Sequence, residues 1–471
     1  MTVESKTVLI AGAFGYGNTG DDAILKVIVR DLRNEVPGIE LVVISNDPDE
    51  TQRLLGGASI HRTDIVGIVD AVKKCDLMIL GGGGLFYDYW GVEQDDLLTK
   101  QQAEIPYYTG FCLLATLLAK PLIIYAVGVG PLMSESGKLF TRAAFEQAHT
   151  STVRDPESKK ILVSLGLDET RLHVTADPAF SFQGSDQRRR CDILEKEIGV
   201  EFARPLLGVA LRNWDVGVDP DRWERETAIS LDNFIGQYNA TILFIPFQTM
   251  TGTIADDRSV IDRVRNYIKH KSSTRVLGER YCPEDKAAII EGCDLFLGMR
   301  MHGIIFALKA GVPAVALIYD PKVGNALARI GCQEYGVELG RLEAQALTEL
   351  LSKAYDNRSR LRERLKNRSG DLVRLCREPA RLVGQLLANE AQPVTTLSVP
   401  MTEVVKRLVV RQMLRNSELE RSLEAQLMER QQSVGWLSTR IEELEKIVRA
   451  RDEAIDWLNT ELALARNGAD K

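Results

Sequence analysis

Short apolar runs alternate with longer amphipathic stretches from Thr7 to about Glu390. Each run is apolar at consecutive positions, which is typical of strands in a parallel sheet that helices cover on both faces. The pattern therefore predicts an α/β protein with two doubly wound, Rossmann-like domains that face each other across a cleft. The predicted strands cover residues 8–13, 41–45, 77–80 and 122–127 in the first domain and 206–211, 242–245, 295–297 and 314–317 in the second.

A polar segment with arginines at 188–190 interrupts the alternation. We place the domain boundary there, which gives one domain over residues 1–185 and a second over residues 186–392. A short linker with prolines follows over residues 393–403. Beyond it the chain is rich in Glu, Arg, Leu and Gln, which predicts a helical tail over residues 404–466.

Apolar residues of the tail recur at alternating three- and four-residue steps, with Arg451 at the one polar position. This spacing is that of a coiled-coil seam and predicts a homo-oligomer or a coiled-coil partner. The alternative is a helix that folds back on the globular body. The seam residues are Val434, Leu437, Ile441, Leu444, Val448, Ile455, Leu458 and Leu462.

The chain has 471 residues, 45% of them hydrophobic, and a net charge of −7. This balance gives no overall attraction to nucleic acid. The seven cysteines show no paired short spacing, so we expect reduced thiols and no metal site. The polar N-terminus shows no signal peptide, and Lys120 and Pro121 break the most apolar stretch, so we expect a cytoplasmic protein, with attachment at the inner membrane face as an option.

A glycine-rich loop over residues 12–22 follows the first predicted strand and precedes a helix that we expect to begin near Asp21. Backbone at Gly17 and Asn18 can approach a ligand there. Asp21 and Asp22 occupy the positive end of the helix and would oppose a phosphate, and the glycine spacing departs from the dinucleotide fingerprint. Either aspartate is a candidate base or acceptor for a sugar hydroxyl, and the alternative is a capped helix start.

Four consecutive glycines, residues 81–84, follow another predicted strand. Ligands of open α/β sheets bind beyond the carboxyl ends of strands, so Gly82 and Gly83 are candidates for a backbone surface that faces the cleft. The alternative is a flexible turn.

Arg300 and His302 come directly after a predicted strand, and Arg212 comes directly after a neighbouring one. A guanidinium suits a phosphate or carboxylate, and an imidazole can exchange a proton near neutral pH. These three side chains therefore predict a site for a small dianion beside an acid or base. His61, His149, His173 and His270 lack such neighbours in sequence, and we expect structural roles for them.

The order of motifs resembles the polysaccharide pyruvyl transferase family, whose fold is similar to that of two-domain GT-B glycosyltransferases. The resemblance spans residues 7 to about 330 and departs at Asp22, where a glutamate is expected, and at Gln248, where some members carry histidine. The matching segments are residues 17–25, 81–84, 128–131, 153–155, 176–178, 246–248, 300–303 and 319–323.

The resemblance implies transfer of the enolpyruvyl part of phosphoenolpyruvate to a glycan or lipid-linked glycan of the cell envelope, with no other cofactor. It implies that Arg212, Arg300 and His302 bind the donor, His302 as the acid, with Gln248 and Lys322 as further substrate-binding candidates. One alternative is a nucleotide-sugar glycosyltransferase, although Phe306 stands where retaining members carry a ribose-binding carboxylate. The other is an inactive scaffold of a polymer-synthesis complex.

Overall fold

The computed structural model describes residues 5–92, 97, 104–199, 204–249, 256–278 and 281–468, except the side chains of 412, 415, 416, 454, 455 and 457–468. The chain as far as Val404 forms one compact unit, and the chain from Val405 forms a second. Described buried apolar residues of the first unit make one continuous core that reaches from Val8 to Val383.

The first sheet is parallel and has seven described strands. Its chain order confirms the first doubly wound domain, and the order changes direction beside the first strand, where such sheets bind ligands. From edge to edge the strands are β3 (Ala58–His61), β2 (Glu40–Ser45), β1 (Thr7–Ala11), β4 (Leu77–Phe86), β5 (Leu122–Val129), β6 (Thr150–Val153) and β7 (Leu172–Val174). Its helices are α1 (Thr19–Glu35), α2 (Pro48–Leu55), α3 (Ile65–Lys74), α4 (Ile105–Leu117), α5 (Glu135–Gln147) and α6 (Pro156–Ser164).

The second sheet is also parallel, with six described strands. From edge to edge they are β10 (Thr274–Val276), β9 (Thr241–Phe244), β8 (Leu206–Ala210), β11 (Leu295–Gly298), β12 (Ala314–Ile318) and β13 (Gly336–Glu338). Its helices are α7 (Gln187–Ile198), α8 (Pro220–Tyr238), α9 (Asp257–Tyr267), α10 (Pro283–Glu291), α11 (Met301–Lys309), α12 (Pro321–Arg329) and α13 (Ala344–Asp356).

Two further helices complete the body, α14 (Arg358–Leu375) and α15 (Glu378–Ala388). Helix α15 packs on α1 and β5, so the chain returns to the first sheet after the second is complete.

Aspartate side chains define where many of the helices begin. An aspartate at the N-cap position accepts a hydrogen bond from a backbone N–H of the first turn, which would otherwise lack a partner. Helices α2, α3, α6, α7, α8, α9 and α12 begin in this way, at Asp47, Asp64, Asp155, Asp186, Asp219, Asp256 and Asp320.

The final helix, α16 (Val399–Gly468), begins inside the segment that the sequence assigned to a linker. At 1.5 Å per residue it is roughly 100 Å long. Val434, Leu437, Ile441 and Leu444 of the predicted seam are each about half exposed or more, and the side chains of Ile455, Leu458 and Leu462 lie outside the described part. The helical tail is confirmed, and the coiled coil stays a prediction. Among the described residues, no helix is long and apolar enough to cross a membrane.

Candidate active site

The glycine-rich loop joins the two sheets. Helix α1 begins at Thr19, two residues earlier than predicted, because the Asn18 side chain accepts a hydrogen bond from the Gly20 N–H at 3.0 Å. The Thr19 hydroxyl donates to the Phe247 carbonyl at 2.8 Å. Asn18 and Gln248 form an isolated antiparallel bridge. The structure therefore brings Gly17, Asn18 and Gln248 together at the junction of the two domains, and it shows that Asn18 caps the helix.

The four glycines lie inside β4, which continues to Phe86, so their expected place beyond the strand was wrong. Gly82 and Gly83 have φ of +86° and +87°, which a glycine adopts without strain. A Cβ at Gly82 would lie 2.6 Å from the Ile24 side chain, and one at Gly83 would lie 3.2 Å from the Asp21 carboxylate. The run therefore allows α1 to approach β4 closely and brings Asp21 against the strand.

His302 lies in the first turn of α11, on the second domain, and faces α1 of the first domain. A Cβ at Gly20 would lie 1.8 Å from His302 Nδ1, so only glycine leaves room for the imidazole. The Nε2 atom lies 3.7 Å from Asp177 Oδ2. The predicted acid is thus held between the two domains, with 12% of its side chain exposed.

Asp177 and Arg154 form a buried ion pair beside His302, and sequence reasoning missed both as site residues. Arg154 Nη1 donates to Asp177 Oδ2 at 3.0 Å. Burial raises the pKa of Asp177, but His302 and Arg154 lower it more, to about 2, so this carboxyl is ionised throughout the physiological range. The available signal was that both residues lie in the segments 153–155 and 176–178 that carried the family resemblance.

The two predicted acidic residues of α1 have different surroundings. The pKa of Asp21 is raised by burial, which outweighs the opposing charge of His302. The pKa of Asp22 is raised to about 7 by burial and then by the charge of Asp21. Asp21 belongs to the cluster of His302, Asp177 and Arg154, whereas Asp22 interacts with Lys286.

Lys286, which the sequence did not single out, reaches from α10 to the start of α1. Its ammonium donates to the Thr19 hydroxyl at 2.9 Å, and the residue is 5% exposed. Burial lowers its pKa to about 8, although the charges of Asp257 and Asp22 oppose that shift. A cation of the second domain therefore lies at the helix end that carries Asp22.

Arg300 lies at the junction as expected, but its guanidinium already has a counterion. It pairs with Asp257, which is fully buried, through Nε at 3.0 Å from Oδ2 and through Nη2. Asp257 Oδ2 also accepts from the backbone N–H groups of Phe247 and Gln248 at 2.9 and 3.0 Å. The pair connects the start of α11 to the loop after β9. Arg300 therefore orders the site and also contributes positive charge to it.

Arg212 has no carboxylate within ion-pair distance among the described residues. Its guanidinium lies over the rings of Trp214 and Tyr319, at 5.2 and 5.0 Å, and Nη1 donates to the Tyr319 hydroxyl at 2.9 Å. Its Nε is buried with no hydrogen-bond partner in the described part of the chain. Burial raises the pKa of Tyr319, but Arg212 and Lys322 lower it more, and the net shift is downward.

Lys322 also lies close to Tyr319, with its ammonium 5.6 Å from that ring and 2.8 Å from Asp320 Oδ2. Arg212 and Lys322 thus place two positive charges beside Tyr319, near the carboxyl ends of β8 and β12. A cation held without its own carboxylate, beside a second cation, is suited to bind an anion.

The family model of the polysaccharide pyruvyl transferases matches residues 18–321. The chain belongs to this family. Among curated relatives of this chain is the amylovoran biosynthesis protein AmsJ of Erwinia amylovora, which is 21% identical over 396 residues, 74% of this chain and 92% of the relative.

Solved structures show that the fold of this chain is GT-B-like. Anabaena Alr3699/HepE, determined in complex with UDP-glucose, has a TM-score of 0.56 at 12% identity and covers 81% of this chain and 100% of its own. A UDP-N-acetylglucosamine 2-epimerase described as putative, from Listeria monocytogenes, has a TM-score of 0.55 at 13% identity and covers 82% of this chain and 96% of its own. At such identities the likeness concerns the fold alone.

Proposed function

We propose that this protein transfers the enolpyruvyl group of phosphoenolpyruvate to two hydroxyls of one sugar, in a cell-surface polysaccharide or its precursor. The products are a pyruvate ketal and phosphate. The observation that carries the donor assignment is the partly buried Arg212 guanidinium, whose buried Nε has no hydrogen-bond partner and which lacks a carboxylate partner among the described residues. The family and a relative named for amylovoran biosynthesis support a polysaccharide as the acceptor.

Phosphoenolpyruvate offers two anionic groups, a phosphate and a carboxylate. Arg212 and Lys322 lie beside Tyr319 and would bind one of them. Arg300 would contact the other from the junction, held in place by Asp257. Donor binding would give Arg212 the anionic partner that it lacks among the described residues, through a charge-assisted hydrogen bond.

The chemistry begins at the methylene carbon of the donor. His302 gives a proton to that carbon, and the central carbon becomes electrophilic. The first sugar oxygen bonds to the central carbon and gives its proton to Asp21, which belongs to the same cluster as His302. The bond to the phosphate oxygen then breaks, and phosphate leaves with the electron pair and the proton from Asp21. The second sugar oxygen closes the ring and returns a proton to His302.

Transfer from a nucleotide sugar, the alternative that the sequence left open, fits this site less well. Phe306, at the position of the ribose-binding carboxylate, is 3% exposed. Its ring stacks on Phe182 at 5.4 Å and lies 6.0 Å from Phe247. An apolar core contact therefore occupies the place where a ribose hydroxyl would need an acceptor.

The proposal predicts different losses at His302 and Arg212. For His302→Ala we expect kcat to fall by about 10²–10⁴-fold with donor binding retained, because only proton transfer is lost. For Arg212→Ala we expect phosphoenolpyruvate to bind about ten- to a hundredfold more weakly, because a charge-assisted contact is lost. The measurements are phosphate release with cell-envelope glycan precursors, mass gain of the glycan, and thermal shift with phosphoenolpyruvate.

His173→Ala is the matched control, because His173 lies exposed on β7 outside the cluster. It should leave both quantities unchanged. Full turnover by His302→Ala would remove the acid assignment. A larger thermal shift with UDP-glucose than with phosphoenolpyruvate would overturn the donor.

A further inference from the structure

A chain of aromatic side chains crosses the domain junction beside the donor cations. Tyr87, Tyr89 and Trp90 follow β4 in the first domain, and Trp214 and Tyr319 follow β8 and β12 in the second. Tyr89 and Trp90 contact Trp214 with ring centroids 5.3 and 6.0 Å apart, and Trp214 lies 4.6 Å from Tyr319. We call these five residues the aromatic platform.

Trp90 forms the outer end of the platform and is 64% exposed, whereas Trp214 at its centre is 6% exposed. The rings of Tyr87, Tyr89 and Trp214 meet Trp90 at angles of 63–69°. These edge contacts hold the Trp90 indole in place, yet most of the indole is exposed to water. Its exposed face is therefore a large apolar surface for a ligand.

Buried Asp88 holds the turn that carries Trp90. Its carboxylate accepts hydrogen bonds from the Ser134 N–H at 2.8 Å and hydroxyl at 2.6 Å, and its carbonyl accepts from the Gly91 N–H at 3.1 Å. Asp88 is 3% exposed, so these bonds are shielded from water. The platform is therefore ordered before a ligand arrives, which reduces the entropy cost of binding.

The inner end of the platform meets the cations of the donor site. Lys322 lies 5.3 Å from the Tyr87 ring, and Arg212 lies 5.2 Å from the Trp214 ring. The cations bind a dianion, and an exposed indole adds little to that binding. A neutral pyranose can bind to an exposed indole, because one face of the sugar ring carries C–H groups that pack on an aromatic surface while the hydroxyls stay hydrated.

We propose that the aromatic platform is the acceptor subsite and that Trp90 stacks against a neutral hexopyranose of the acceptor glycan. The platform would lead the glycan from solvent to the donor, so that a sugar bound on Tyr87 or Trp214 presents its hydroxyls to the reacting carbon. This inference rests on the proposed function for the identity of the reaction.

The test uses saturation-transfer NMR of the full-length protein with methyl β-D-glucoside, methyl β-D-galactoside and methyl α-D-mannoside. We expect transfer to the ring C–H protons of at least one glycoside, loss of that transfer in Trp90→Ala, and partial recovery in Trp90→Phe. The matched control is Trp436→Ala in α16, which removes a 67% exposed indole from the second unit and should change nothing.

The thermal shift caused by phosphoenolpyruvate distinguishes the acceptor-subsite proposal from the proposed function. We expect the thermal shift to be the same in Trp90→Ala as in the wild type, and an unchanged shift also shows that this variant is folded. In contrast, KM for a glycan precursor should rise about tenfold in Trp90→Ala. This increase is comparable with the loss of one ring stacked on an aromatic side chain. Transfer from the wild type to none of the glycosides, or equal transfer from Trp90→Ala, overturns the subsite while leaving the donor intact. Loss of the thermal shift from the wild type itself would instead remove the proposed function.

Discussion

At the scale of single residues, Gly20 decides whether His302 has room. A methyl group there would occupy the space of the imidazole, since the Cβ position is 1.8 Å from Nδ1. We expect Gly20→Ala to displace His302 and to lower kcat at least tenfold, although alanine favours the helix by about 1 kcal/mol over glycine. Phosphate release and thermal unfolding measure the two effects separately.

Gly236→Ala in α8 is the matched control, because a Cβ there would meet nothing within 4 Å. It should raise stability slightly and leave turnover unchanged. Normal turnover by Gly20→Ala would show that His302 can occupy another position and still act.

The raised pKa of Asp22 predicts the direction in which stability changes with pH. Its pKa is about 7 in the fold, above the ordinary 3.8, so the fold binds more protons than the unfolded chain between these values. The stability that this group contributes is present below about pH 4 and is lost as pH rises toward 7. We therefore expect Asp22→Asn to be more stable than the wild type at pH 8, with little difference at pH 4.

Thermal unfolding at both pH values measures this difference, and Asp192→Asn at an exposed position of α7 serves as a control. A variant that is less stable than the wild type at pH 8 would show that the Lys286 and Asp22 charges stabilise each other more than burial destabilises Asp22.

At the scale of elements, apolar runs predicted eight of the described strands and missed five, β3, β6, β7, β10 and β13. These have three or four residues and carry polar side chains, as in Thr150–Val153, so no apolar run marks them. The bounds of β4 were wrong for a related reason. Glycine usually interrupts a strand, but here pairing with β5 keeps Gly81 to Gly84 in the sheet.

At the scale of the whole molecule, we expect catalysis by the first unit to be independent of the tail helix. Met401 and Val404 are buried residues of the first unit, so a cut before them would remove apolar side chains that this unit buries. We expect truncation after Val404 to leave a folded, active protein, because every site residue lies upstream. Phosphate release and thermal unfolding test this, with a cut after Gln392 as the less stable comparison.

The exposed apolar seam of the tail predicts self-association of the full chain, because such a stripe in water favours a partner. Light scattering should give a larger particle for the full chain than its monomer mass and a monomer after truncation at Val404. A monomeric full chain would favour the alternative that the tail binds the body.

By itself the sequence determined the two α/β domains, the helical tail, and the positions of Arg212, Arg300 and His302 after strands. These features depend on the apolar pattern of residues that are close together in the chain. Only the tertiary structure decided which charges meet. Asp257 is 43 residues from Arg300, and Asp177 is 23 from Arg154. Burial, which sets the pKa of Asp22, and the aromatic platform, which joins residues of both domains, likewise depend on contacts that no local pattern encodes.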